Sequence, residues 1–185
     1  MADTSNFRNG FTIKLENELF TIVEFQHVKP GKGNAFVRTR LKNAHTGAVI
    51  DRTFRSGDKV EEIRIERRES QFLYAEGEDY HFMDSESFEQ SIIAGTMVGD
   101  GANLLKENET VSVLVAEERA IGVELPNFVE IEVTQTDPGV RGDTATGAIK
   151  PATLATGAIV SVPLFVNQGD VLKIDTRTGG YVERV

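Results

Sequence analysis

One lysine stands where its amine could do chemistry. Lys32 lies between Gly31 and Gly33, and Pro30 comes directly before them. Pro30 fixes its own φ at about −65°, and Gly31 can take the positive φ that a type II turn requires. Gly33 lets the chain turn again without a Cβ clash. The stretch KPGKGN therefore predicts a narrow hairpin tip with one long cationic side chain at its end.

The setting of Lys32 separates binding from catalysis. A lysine ammonium binds anions, and its nitrogen can be covalently extended. No general base adjoins Lys32 in the sequence that would activate the amine as a nucleophile. Two interpretations stay open on these residues alone, a solvated lysine on a tight turn and a lysine presented to a partner.

The strand after the tip carries further cations. Side chains alternate along a strand, so Phe36, Arg38, Arg40 and Lys42 are expected to share one face. Such a row suits contacts to phosphates, although it also suits a charged edge strand that resists aggregation. No acid lies between positions 24 and 51, where the bases are Lys29, Lys32, Arg38, Arg40 and Lys42. This local patch, and not the total charge, decides where a polyanion could bind.

The charge of the chain is uneven. The net charge is −9, yet residues 1–64 have 11 bases and 8 acids, a net charge of +3. Residues 65–127 have 4 bases and 14 acids, and residues 128–185 have 5 and 7. The acidity therefore belongs to the middle third of the chain.

Several classes of site are disfavoured by composition. The chain has no cysteine, which excludes disulfides, thiol chemistry and Cys-ligated zinc. The histidines His27, His45 and His81 form no metal-ligand spacing. No apolar run approaches the length of a membrane span, and the N-terminus does not resemble a secretory signal, so a cytoplasmic protein is expected.

Strand signals dominate the whole chain. Segments such as FTIKL, LFTIVEF, AFVRTRL and EEIRI are short, rich in β-branched or aromatic residues, and separated by turns. Residues 75–78 predict a hairpin turn that is not tight, and SESFEQSII and GANLLKEN predict short helical turns. Residues 134–157 read as loop with a short strand. The pattern predicts three consecutive small all-β barrels, over residues 1–64, 65–127 and 128–185.

Long stretches of this sequence resemble one family. FQHVKPGKGNAFVRTRLKN resembles the first-domain hairpin of bacterial elongation factor P, a relative of the eukaryotic initiation factor that bears hypusine. TDPGVRGDTATG and KPATLATGAIVSVPLFVNQGDVLKIDTRTGGYVERV resemble the C-terminal signature of that family. YHFMDSESFEQ and IGVELPNFVEIEV match its middle part, so the resemblance covers essentially the whole chain.

The resemblance implies a fold and a function. It implies an SH3-like, KOW-type first barrel and two OB-fold barrels in an L-shaped, tRNA-like arrangement. It implies a monomeric factor, not an enzyme, that contacts both ribosomal subunits between the peptidyl and exit tRNA sites. The factor would stimulate peptide-bond formation and relieve stalling at consecutive prolines, without cofactor, metal or membrane.

The resemblance also assigns roles to residues. Lys32, extended in many members by a separate modifying enzyme, would reach toward the acceptor end of peptidyl-tRNA. Its tip loop would be formed by Pro30, Gly31, Gly33 and Asn34. The candidate RNA-binding residues are Lys29, Arg38, Arg40, Lys42, Gly142, Asp143, Thr144, Tyr181 and Arg184.

Two other classes of protein remain open. A general single-stranded RNA-binding protein would stack bases on exposed aromatic residues of its OB-like barrels, whereas most phenylalanines here lie in apolar runs expected to form core. A metal-free hydrolase would need a nucleophile and a base, which we do not find. The carboxylates Asp84, Glu86 and Glu89 lie in a charged stretch that predicts a turn.

Overall fold

The computed structural model of the chain describes residues 1–139 and 147–185. These residues form two compact units, which are considered separately. One unit contains Met1–Arg68 with Val113–Gly122, and the other contains Glu69–Ser112 with Val123–Val185. Three β-sheets account for nearly all of the regular structure, in agreement with the predicted all-β fold. No helix within the described ranges has the length and apolar character needed to cross a membrane.

The first sheet has six strands in the order β1-β6-β2-β3-β4-β5. Its strands are β1 Ala2–Asp3, β2 Thr12–Leu15, β3 Glu18–Val28, β4 Phe36–Asn43, β5 Val49–Arg55 and β6 Lys59–Glu62. A 3₁₀ turn, Thr4–Asn6, follows β1 and is capped by the Asp3 side chain. The strands enclose one core of buried side chains, among them Phe7, Phe11, Ile13, Phe20, Ile22, Val37, Leu41, Phe54 and Val60.

The second sheet has five strands in the order β11-β10-β7-β8-β9. They are β7 Glu66–Glu76, β8 Asp79–Asp84, β9 Gln90–Ala94, β10 Thr110–Ala116 and β11 Arg119–Glu124. Between β9 and β10 lie the helical turn α1, Gly95–Val98, and a 3₁₀ helix, Asp100–Leu104. The largest fully buried side chain in this sheet is that of Phe82.

Two local predictions for the middle region are wrong. The β7–β8 turn is tight, because Glu76 pairs directly with Asp79 and Gly77 adopts a φ of 63°. The helical turn predicted over SESFEQSII does not extend through the segment, because only residues 85–87 form a turn and Gln90–Ala94 pairs with β8. The helical turn predicted over GANLLKEN is confirmed by the 3₁₀ helix Asp100–Leu104.

The third sheet has five strands in the order β14-β13-β12-β15-β16. They are β12 Phe128–Thr136, β13 Ile149–Leu154, β14 Ile159–Pro163, β15 Val171–Asp175 and β16 Gly180–Arg184. Alternate residues of β12 are buried, and Val129, Ile131 and Val133 form the centre of its core. The short strand predicted inside residues 134–157 is confirmed as β13.

Candidate nucleic-acid interface at the β3–β4 hairpin

The hairpin of β3 and β4 extends past the core of its sheet. The two strands pair from Phe20 and Asn43 as far as Val28 and Phe36. A register shift between Ile22 and Glu24 interrupts the pairing, and no residue of β3 after Ile22 is buried. The outer half of β3 is therefore an arm held by strand pairing, which carries the tip loop, residues 29–35.

The tip loop presents Lys32 to solvent. Pro30, Gly31, Lys32, Gly33 and Asn34 are all exposed. Among residues 1–139 and 147–185, no hydrogen bond or ion pair involves the Lys32 side chain. The structure thus provides no partner for this amine in the described part of the chain, which leaves the amine accessible to another molecule.

The two glycines of the tip differ in what they require. Gly33 has a φ of 112°, a region that disfavours L side chains. Gly31 does not have a positive φ, so the type II turn predicted with Gly31 in that conformation is wrong. A Cβ built on Gly31 would meet no atom within 4 Å. The fold therefore requires a glycine at position 33 and does not require one at position 31.

The predicted cationic row on β4 is present but partly neutralised. Arg38 and Arg40 are exposed and Lys42 is half-buried, while the residues between them are buried. The Arg38 guanidinium lies 5.5 Å from the centre of the Phe36 ring. Arg40 forms ion pairs of 3.4 Å with Glu24 on β3 and 3.2 Å with Asp51 on β5. Arg38 and the exposed Lys29 are consequently the stronger cations for an outside anion.

The candidates in the third sheet are anchored by neighbours. Tyr181 is half-buried against the core of that sheet. The Arg184 guanidinium donates to Asp170 at 3.3 Å and lies 5.3 Å from the centre of the Phe165 ring. The pKa of Asp170 is lowered, first by a hydrogen bond from the backbone N–H of Asn167 and then by Arg184. The remaining candidates, Gly142, Asp143 and Thr144, lie outside the described residues.

The carboxylate of Asp84, one of the acids considered for a hydrolytic site, stabilises a turn. Oδ1 of Asp84 accepts hydrogen bonds from the backbone N–H groups of Glu86 and Ser87, at 2.8 and 2.9 Å. These contacts close the turn between β8 and β9. Within the described ranges, no group of three or more ligating side chains is placed to hold a metal ion.

Sequence reasoning missed one basic surface. Arg8, Arg64 and Arg67 line a single groove of about 760 Å³ in the first unit. Arg8 precedes β2 and the other two follow β6, so the antiparallel pairing of β2 with β6 brings them together. The wide separation of Arg8 from the other two arginines along the chain hides this proximity.

Comparison with known proteins agrees with this architecture. The family model of the elongation factor P KOW-like domain matches residues 3–60, that of its OB domain matches residues 65–123, and that of its C-terminal domain matches residues 129–184. A solved structure titled eukaryotic translation initiation factor 5A, from Methanococcus jannaschii, has a TM-score of 0.53 at 21% identity. It covers 68% of this chain and 90% of its own, and it shows a shared fold.

Elongation factor P models match all three parts of the chain, and they define it as a translation factor. Elongation factor P of Pelotomaculum thermopropionicum is 57% identical over 185 residues, and that of Moorella thermoacetica is 54% identical over 184 residues. Each alignment covers 100% of both chains. The chain belongs to the elongation factor P family and is a translation elongation factor.

Proposed function

We propose that this chain binds the ribosome between the peptidyl and exit tRNA sites and stimulates peptide-bond formation at consecutive prolines. Lys32 acts by holding the acceptor end of peptidyl-tRNA. The protein works as a cytoplasmic monomer without cofactor, contacts both subunits, and has domains over residues 1–64, 65–127 and 128–185. Membership of the elongation factor P family supports this proposal.

Proline creates the need for such a factor. Its ring fixes φ and restricts the preceding residue, so the reacting groups at a Pro-Pro junction are poorly aligned. Holding the peptidyl-tRNA end raises the fraction of near-attack geometries, which lowers the entropic part of the barrier. A factor that acts in this way needs a side chain that reaches the peptidyl-tRNA end and holds it in place. It does not need a side chain that transfers a proton.

The observation that carries the proposal is the bare presentation of Lys32. Its ammonium is exposed at the end of an arm that extends beyond the core, and no described side chain competes for it. An ammonium has three donors for RNA phosphates or hydroxyls. Addition of a group to its nitrogen by a separate modifying enzyme would extend that reach.

Gly31 provides a second argument. A glycine loses more conformational entropy on folding than alanine does, and nothing in residues 1–139 or 147–185 requires one at this position. A constraint outside the chain accounts for it, since a tip without side chains beside Lys32 can enter a narrow cleft. The tip therefore fits an RNA-walled site better than open solvent.

The direct test replaces Lys32. Lys32→Ala, tested in reconstituted translation of a message with three consecutive proline codons, should bind ribosomes but fail to relieve the stall. Lys59→Ala is a matched control, because Lys59 is also exposed and lies on β6 away from the tip loop. Full relief by Lys32→Ala would overturn the positioning role.

A second measurement addresses modification. Peptide mass spectrometry of the protein from its native host should show added mass confined to the peptide that contains Lys32. In reconstituted translation, Lys32→Arg keeps a positive charge but lacks the amine that a lysine-modifying enzyme requires. Its comparison with Lys32→Ala separates the contribution of charge from that of the extended group.

A further inference from the structure

A second cationic surface lies on the first unit, apart from the tip loop. It is a groove of about 760 Å³ between the chain entering β2 and the chain leaving β6. We call it the arginine groove, and its charged side chains are Arg8, Arg64, Arg67 and Glu62. Its volume falls in the range of about 300–1,000 Å³ typical of ligand sites. Arg67 has an interaction of its own within the described residues, so the positive charge open to a ligand is that of Arg8 and Arg64.

Two of these arginines lack an acidic partner. Arg8 and Arg64 are exposed and form no ion pair with any residue of the described ranges. The chain nevertheless pairs other arginines with carboxylates, namely Arg40, Arg52, Arg68, Arg177 and Arg184. In a chain of net charge −9, two guanidinium groups without an acidic partner lie in one groove, where they are accessible to an outside anion.

Backbone hydrogen bonds hold the two sides of the groove in place. The backbone N–H of Gly10 donates to the carbonyl of Ile22 at 2.8 Å, and that of Phe11 donates to Arg8 at 3.1 Å. On the other side, the N–H of Ile63 donates to Thr12 at 3.0 Å. These bonds fix the turn that carries Arg8 against the segment that carries Arg64.

Arg8 is also fixed at its guanidinium. The group lies 4.9 Å from the centre of the ring of Phe11, which is buried. This cation–π contact orients a planar donor whose edges remain open. Because the orientation exists before binding, less side-chain entropy is lost when an anion is captured.

We propose that the arginine groove binds the phosphodiester backbone of RNA. Guanidinium groups match phosphate oxygens with paired donors, and two of them lining one groove can each contact a phosphate of the same strand. Such contacts position a protein on RNA without reading its sequence. The proposal rests on the proposed function in taking RNA as the partner, and it assigns to the groove the docking step and to Lys32 the later positioning step.

The test compares two double variants with the same loss of charge. Arg8→Gln/Arg64→Gln removes the two unpaired cations of the groove. Arg119→Gln/Arg177→Gln removes two exposed arginines that do not line it. Binding to a fluorescein-labelled RNA stem-loop is followed by anisotropy from about 50 to about 200 mM salt, the range over which phosphate contacts weaken strongly.

The expected results are specific to phosphate contacts. Loss of two contacts should lower RNA affinity roughly 25-fold at about 0.1 M salt and make the log–log salt slope shallower by roughly 1.5. The control variant should keep the wild-type slope. Thermal melting of each variant separates loss of binding from loss of fold, and the single variant Arg64→Gln gives a second, milder measurement.

Other outcomes overturn the proposal. Unchanged RNA affinity and slope in the groove variant would refute it. Loss of ribosome binding with an unchanged RNA slope would also refute it and would indicate a protein partner. Relief of proline stalling reports on Lys32, whereas the RNA salt slope of the groove variant reports on the groove, so a failure of the Lys32 proposal and a failure of the groove proposal give different results.

Discussion

Alanine substitution at the two tip glycines separates what the fold needs from what the partner needs. Gly31→Ala adds a methyl group that meets nothing within 4 Å, at a φ outside the left-handed region. Gly33→Ala adds a methyl group 3.8 Å from Cγ of Pro30, which is ordinary contact, at a φ of 112°. Space is therefore available at both positions, and the backbone angle alone distinguishes them.

The magnitudes follow from this geometry. Forcing an L residue into the left-handed region costs about 1–2 kcal/mol, so Gly33→Ala should lower stability by up to that amount. Gly31→Ala should be neutral or stabilising by up to about 1 kcal/mol, because alanine restricts the unfolded chain. In a chain of this length, 1 kcal/mol corresponds to a change in Tm of about 2–4 °C.

Gly31→Ala should reduce activity although it leaves stability unchanged or raised. If the methyl group displaces the Lys32 amine by about 1 Å inside a cleft, the rate of Pro-Pro bond formation should fall by about 10- to 100-fold. The assay is the time course of synthesis through three proline codons, alongside thermal melting of the same protein. A Gly31→Ala variant with wild-type Tm and full activity would refute the argument that the partner requires a slender tip.

Two further predictions concern the third sheet. Gly139→Ala would place a Cβ 2.7 Å from the carbonyl oxygen of Leu164, so the backbone must shift, and thermal denaturation should show a loss of about 1–3 kcal/mol. Unchanged stability would contradict this. The pKa of Asp175 is lowered from 3.8, first by the Arg177 side chain, and that of Asp170 first by the N–H of Asn167. Because both folded pKa values are depressed, the stabilisation is complete above the unfolded value and is lost as pH falls below it. At pH values below about 4, the melting temperature of the wild-type protein should fall as the pH is lowered. It should fall less steeply with pH in Asp175→Asn. Parallel curves of melting temperature against pH for the two proteins would refute this linkage.

The sequence predicted the β4 face correctly because that face depends only on local alternation. Arg38 and Arg40 point outward and Val37, Thr39 and Leu41 point inward, as a period of two requires. The neutralisation of Arg40 was not predictable from the same pattern. Its partners lie on the neighbouring strands β3 and β5, and they are the two acids that bound the acid-free interval.

The errors share a physical cause. Gly31 and Gly33 both permit a positive φ, and sequence alone does not tell which of two neighbouring glycines takes it. The SESFEQSII segment was assigned a helical turn, whereas strand pairing of Gln90–Ala94 with β8 determines its structure. Pairing between strands determines the structure of Gln90–Ala94, and it also brings Arg8 close to Arg64.

The proposed groove and the proposed role of Lys32 would give the first unit two separable tasks. Lys32, and Arg8 and Arg64 of the arginine groove, form no ion pair with the described residues, while the acids are concentrated in residues 65–127. A docking contact raises the effective concentration of the tip at its target without altering the reaction step. A groove defect should therefore be overcome by excess factor, because mass action restores occupancy. The defect in proline-stall relief caused by loss of Lys32 should persist when the ribosome is saturated with the factor. A bound factor that lacks this amine would not position the peptidyl-tRNA end.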